Sequence, residues 1–92
     1  MNERIEVSIS GRVQLVMYRD FATRKARGLK LTGEVQNLPD KTVRVIAEGP
    51  RERLEAYLVK LNRGSLLSRV DAVVPKWLPA TNEYKTFSIH YD

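Results

Sequence analysis

An arginine placed where a strand pattern runs into a helix pattern is the first feature of this chain that could do chemistry. Arg4 to Val13 alternate strictly, with Ile5, Val7 and Ile9 on one face and Glu6, Ser8 and Ser10 on the other, which marks a half-buried strand. Gly11-Arg12-Val13-Gln14-Leu15-Val16-Met17-Tyr18-Arg19 leads out of it. Tyr18, Phe21/Ala22, Ala26 and Leu29 then recur at helical spacing, with Asp20 in the first turn where the helix dipole favours an acid. The backbone N–H groups of such a junction have no partners of their own and point outward, so they suit an anion. The Arg19 guanidinium adds full charge and a planar donor fork that matches phosphate oxygens. The stretch is a candidate phosphate cradle, although many such junctions bind nothing and an exposed arginine is usually only solvated.

Asn37 is the second polar residue of interest, because it falls at the far end of a short strand, Glu34 to Leu38, ahead of the turn Pro39-Asp40-Lys41. An asparagine before Leu-Pro-Asp is also a common turn former that bonds its own backbone, and spacing by itself favours that reading. His90 is the single histidine, and no serine has an obvious base partner, so a nucleophilic triad is not indicated. One histidine without clustered carboxylates gives no reason to expect a metal. Trp77 and Tyr84 read as packing residues and His90 as structural or exposed.

The remaining elements must position these groups. Thr42 to Ala47 returns after the turn and completes a hairpin. A second helix has Pro50 at its first position, Leu54, Tyr57, Leu58 and Leu61 along one face, and Gly64 at its end. Gly28 is expected to stop the first helix. Val70 to Leu78 is a strand whose Pro75 lacks a ladder donor and argues for a sheet edge. Thr86 to Tyr91 closes the chain as a short strand with Phe87, Ile89 and Tyr91 on one side. The order β-α-β-β-α-β plus a terminal strand implies an α+β, ferredoxin-like split β-α-β sandwich, an antiparallel sheet carrying two helices on one face. In that fold the loop after the first strand and the far end of the second strand share one edge of the sheet, so Asn37 could face the loop.

With 92 residues, 42% of them hydrophobic, the chain makes one small domain over 1–92. It has no cysteine, so disulfides and thiolate chemistry are excluded. The formal charge of +5 and pI near 9.8 favour anionic partners. Only Arg24-Lys25-Ala26-Arg27 is densely basic, however, and it reads as the solvated side of a helix. No apolar run could span a bilayer, and Met1-Asn2-Glu3-Arg4 enters the first strand without an apolar signal core, so a cytoplasmic protein is expected. The fold also hosts RNA-binding domains, but those carry aromatic residues on the middle strands. Val7-Ser8-Ile9-Ser10 and Val43-Arg44-Val45-Ile46 offer none, which makes nucleic acid a weak alternative. Pro75 guards its strand against edge pairing, and a monomer is expected.

Gly11-Arg12-Val13-Gln14, Val16, Tyr18 and Arg19 resemble the acylphosphatase signature G-x-V-Q-G-V-x-[F/Y]-R. Leu31-Thr32-Gly33, Val35, Asn37-Leu38-Pro39-Asp40, Val43 and Ala47-Glu48-Gly49-Pro50 are similar to the second conserved block of that family. Ser68-Arg69-Val70-Asp71 and Phe87-Ser88-Ile89 match as well. The resemblance implies hydrolysis of the carboxyl–phosphate bond of small acylphosphates, giving carboxylate and inorganic phosphate, without cofactor, metal or covalent intermediate. It implies that the main-chain N–H groups of Gln14, Leu15, Val16, Met17, Tyr18 and Arg19 hold the phosphate, that Arg19 clamps it, and that Asn37 orients the attacking water. The chain departs from the pattern at Leu15, in place of the loop glycine. If that glycine has positive φ, leucine there costs roughly 1–2 kcal/mol or misaims the donors. Met17 stands at a variable position. Glu34 replaces an aromatic residue and puts an acid near an anion site, while Lys30 and Lys41 replace glycines. A catalytically weak or inactive anion-binding domain is therefore the alternative reading, with RNA binding third.

Overall fold

The structure is a computed structural model in which residues 1–14 and 17–91 are described. The strands and helices run in the order β1 (Asn2–Arg12), α1 (Tyr18–Gly28), β2 (Thr32–Asn37), β3 (Val43–Pro50), α2 (Arg51–Arg63), β4 (Arg69–Pro79) and β5 (Phe87–Ile89). They form a five-stranded sheet in the order β4-β1-β3-β2-β5. Four strands pair antiparallel, with Val7 opposite Val45 and Pro75, and Val35 opposite Val45. The three-residue β5 joins β2 in parallel, so the sheet is mixed. This is the α+β, ferredoxin-like arrangement, and Pro75 does lie on an edge strand.

The alternation of β1 is reproduced, since Ile5, Val7 and Ile9 are buried while Ser8 is exposed. Those side chains meet Val35, Val43 and Val45 beneath the buried Phe21 and Ala22 of α1 and Leu54, Tyr57 and Leu61 of α2. Two buried tyrosines cross-link the helices. Tyr57 donates its hydroxyl to the Ala22 carbonyl at 2.9 Å, and Tyr18 donates to the Leu61 carbonyl at 2.7 Å. Leu61 lies in the last turn of α2, where carbonyls lack intrahelical partners, so the Tyr18 hydroxyl satisfies a group that would otherwise be orphaned. Burial pushes both phenols up, which keeps them protonated and donating.

At the helix ends, α2 starts later than the sequence reading places it, while α1 stops at Gly28 as expected. Pro50 is extended, at φ −60° and ψ 143°, and ends β3, so α2 begins one residue later at Arg51. Gly28 is the last helical residue of α1, but it is not the left-handed stop. Lys30 takes that role at φ 58°, with Lys30 N–H bonded to Arg27 O and Leu31 N–H to Ala26 O, both at 3.0 Å. This is the paired-bond helix ending that normally uses glycine. Lys41, in the hairpin turn, likewise sits at φ 73°. Lys30 and Lys41 are thus both held in the left-handed region.

At the end of the sheet where β1 begins, Arg4 is buried and fully engaged. Its guanidinium reaches Glu83 at 2.7 Å, Glu48 and Glu6 at 3.1 Å each, and the Thr81 hydroxyl at 3.2 Å. Glu48, 2% exposed, also accepts from the Thr81 N–H and hydroxyl and from the Asn82 N–H. Burial works to raise the Glu48 carboxyl, but the Thr81 and Asn82 amides, the Thr81 hydroxyl and Arg4 outweigh it and hold it below the ordinary value.

Candidate functional site

The opposite end of β1 launches the loop. The pairing of β1 with β4 shifts register between Ser10 and Gly11, a bulge that turns the chain out of the sheet. Gly11 has φ 124°, and a Cβ there would strike the Arg69 carbonyl, so only glycine fits. Val13 is buried, and Gln14 then fastens the loop to the β2–β3 hairpin. Its Nε2 donates to Leu38 O and to Thr42 O, both at 2.8 Å. The hairpin is itself braced by Asp40, whose carboxylate accepts from the Thr42 hydroxyl at 2.6 Å and the Thr42 N–H at 3.0 Å. Those bonds from Thr42, hydroxyl first, draw the Asp40 carboxyl below its ordinary range.

Leu15 and Val16, and with them the substitution at the loop glycine, lie outside the described residues. At Met17 the chain is left-handed, φ 58° and ψ 30°, and α1 starts immediately after it with no side chain among the described residues capping its end. The first-turn amides of α1 therefore face outward without an intrahelical acceptor. Tyr18, fully buried and anchored to α2, fixes this helix start, and Arg19 beside it is left half-buried at the surface.

Arg19, Gln14 and Met17 line one open pocket of about 290 Å³, together with Asp20, Ile89 and Tyr91. The Arg19 guanidinium lies 5.1 Å from the centre of the Tyr91 ring and makes no ion pair among the described residues. Asp20 is the only acid in the pocket wall among the described residues, and Arg24 holds it at 3.0 Å one helical turn away. That pairing offsets its charge, and the helix end and Arg19 leave the pocket positive.

Asn37 is not in the pocket wall. It pairs with Val43 at the end of β2, one residue before the carbonyl that Gln14 grips. Its side-chain Oδ1 is buried with no hydrogen-bond partner among the described residues. A turn former would bond its own backbone, and Asn37 does not use its oxygen in that way. An orphaned acceptor typically costs 1–3 kcal/mol, and such groups call for an explanation. Glu34, by contrast, is moved away from the site. It precedes Val35, whose side chain is in the core, so it points to the other face of the sheet, where it and Glu83 add to the burial that raises the Tyr84 phenol. The expectation of an acid beside the anion pocket does not hold for Glu34. Asp20 takes that place instead.

The sequence reading missed two contributions. Gln14 acts through its side chain as a strap, and Tyr91 stacks on Arg19. The parallel register of β5 on β2, Val35 opposite Ile89, carries the chain to Tyr91 beside the end of β2. No local pattern signals that pairing. His90 is exposed, and Trp77 is half-buried under the Arg51 guanidinium, 4.2 Å from its ring centre.

A family profile for acylphosphatase matches residues 5–89. This chain belongs to the acylphosphatase family. Acylphosphatase of Thermus thermophilus is 50% identical over 74 residues, 80% of this chain and 84% of that protein. Acylphosphatase of Methylococcus capsulatus is 42% identical over 90 residues, 98% of each chain. The crystal structure of acylphosphatase from Bacillus subtilis superposes with a TM-score of 0.93 at 32% identity, covering 99% of this chain and 100% of that one. This member of the acylphosphatase family sets Arg19 in a pocket at a helix N-terminus.

Proposed function

We propose that this chain hydrolyses the carboxyl–phosphate bond of small acylphosphates to a carboxylate and inorganic phosphate. The observation that carries the proposal is Arg19, a guanidinium without a carboxylate partner among the described residues, set in a pocket at the uncapped start of α1. In this reading the phosphoryl group enters that pocket. Arg19 and the loop amides from Gln14 to Arg19, Leu15 and Val16 included, bind its oxygens, and Asn37 orients water. The water oxygen forms a bond to phosphorus as the bond to the acyl oxygen breaks, and the carboxylate leaves with the electron pair. A carboxylate is a good leaving group, so no strong general acid is required, and a phosphate oxygen takes the proton of the water. The protein supplies positioning and fixed positive potential where charge shifts.

Leu15 in place of the loop glycine is the feature that points to a reduced rate. Its limit is the rival reading, an anion-binding domain with little turnover. The reading also takes the chain as a cytoplasmic monomer acting on small molecules rather than nucleic acid. Pro75 on the edge strand supports the monomer, and no helix among the described residues is long and apolar enough to cross a membrane.

The deciding experiment is the rate with benzoyl phosphate against the uncatalysed rate and against Arg19→Ala. Hydrolysis by the wild type that Arg19→Ala abolishes is the expected result. Equal rates for the two proteins would refute the role of Arg19. Phosphate that raises the melting temperature without any turnover would leave the anion-binding domain as the correct description. Leu15→Gly is expected to raise the rate or the phosphate affinity, and a fall in both would refute the reading of Leu15.

A further inference from the structure

Met17 and Asp20 form part of the wall of a second pocket, of about 270 Å³, on the other side of the α1 start. Its remaining wall is made by Phe21, Arg24, Ser65, Leu66 and Leu67. Leu66 and Leu67 stand at the tip of the turn between α2 and β4, 98% and 70% exposed. Turn tips are normally polar, so two adjacent exposed leucines are unusual there. The turn is also rigidly built. The Ser68 hydroxyl accepts from Ser65 N–H at 2.8 Å and donates to Ser65 O at 3.0 Å, while Ser68 N–H bonds Ser65 O at 3.2 Å. Gly64 enters the turn at φ 73°, and a Cβ there would collide with the Ser68 hydroxyl. The chain thus holds two leucines out in a fixed position beside the exposed Met17. Asp20 and Arg24, the charged residues in the wall, are paired with each other, so the pocket carries no free charge to attract a second anion.

From this geometry we infer that the Met17, Phe21, Leu66 and Leu67 surface is the subsite for the acyl group, and that it selects acylphosphates with apolar, aryl or branched acyl groups over small or anionic ones. The inference rests on the proposed hydrolysis, because the two pockets share Met17 and Asp20. A phosphoryl group seated at Arg19 has its acyl substituent one bridging anhydride oxygen away, at that shared wall. The leucines then act as an apolar shelf that has no counterpart on a substrate lacking an apolar group.

The test uses binding, so it does not depend on turnover. Dissociation constants of benzoylphosphonate, acetylphosphonate and inorganic phosphate are measured for the wild type and for Leu66→Ser/Leu67→Ser. Both leucines are exposed, and the variant is expected to fold normally. The wild type should bind benzoylphosphonate about tenfold more tightly than acetylphosphonate, and the variant should bring the two within about twofold. Acetylphosphonate and phosphate should bind both proteins alike. Equal affinities in the wild type, or a benzoyl preference that survives the double substitution, would overturn the subsite. The second outcome would place the acyl group on the Ile89 and Tyr91 side of the phosphate pocket. Failure of all three ligands to bind the wild type would instead overturn the phosphate pocket itself.

Discussion

The sheet carries a partly or wholly buried arginine at each end, and the two are treated in opposite ways. Arg4 is surrounded by Glu6, Glu48 and Glu83, takes a further contact from Thr81, and has the Tyr84 ring 5.7 Å from its guanidinium. Among the described residues, Arg19 has only the Tyr91 ring and a single nearby acid that is bound to Arg24. The acceptors at the first end are saturated, whereas the Asn37 oxygen at the second is buried and unmatched among the described residues. Charge satisfied within the chain stabilises the fold, and charge left unsatisfied beside free amides is available to a ligand. The same residue type therefore locks one end and equips the other.

This contrast can be broken from either side. The largest effect is expected from Arg19→Ala, which should reduce acylphosphate turnover by at least about a hundredfold, roughly 3 kcal/mol of barrier. Its melting temperature should hardly move, because no ion pair among the described residues is lost. Glu48→Gln should do the reverse. Arg4 loses its buried partner but keeps Glu6 and Glu83, so the cost should be on the order of 1–3 kcal/mol in denaturant titration, with little change in the rate per folded molecule.

The same carboxyl sets a pH dependence. The folded Glu48 value lies below its ordinary 4.5, so its contribution is complete above about pH 4.5 and is lost as pH falls through the folded value. Wild-type stability should fall below pH 4.5, and Glu48→Gln should flatten that part of the profile.

Asn37→Ala sharpens the comparison further. Turnover should drop about tenfold to a hundredfold, while stability holds or rises by up to about 1 kcal/mol, since a buried acceptor without a partner is removed. A large loss of stability would show that Asn37 is a structural turn residue after all. The smallest effects are expected at the two left-handed lysines. Lys30→Gly and Lys41→Gly should each stabilise by roughly 0.5–1 kcal/mol, the relief of left-handed strain offset in part by the entropy of glycine. Neither should alter the rate, because both lie off the pocket wall.

Much of the first end of the site could be read locally. A buried Tyr18 and an adjacent Arg19 at the end of a strand follow from strand alternation, helical spacing and a short motif, whereas the bulge at Gly11 needs the pairing of β1 with β4. Gly28 did mark the end of α1, and Lys30 and Lys41 were visible as departures from glycine, but their left-handed conformation was not. What was hidden depended on pairing at a distance. The Gln14 strap needs the β2–β3 hairpin to lie under the loop, and the place of Glu34 needs the face of β2 to be known.

The amino-acid sequence by itself determined the elements, their order, the apolar faces that must be buried and the arginine at the start of α1. Each of these follows from interactions within a few residues, where periodicity dictates which side leaves water. The tertiary structure decided that Tyr91 covers Arg19, that Asn37 keeps an unmatched oxygen, and that Leu66 and Leu67 stand beside Met17. Those contacts join residues far apart in the chain. They depend on strand order and register, which are fixed by the collective burial of the core and not by any local pattern.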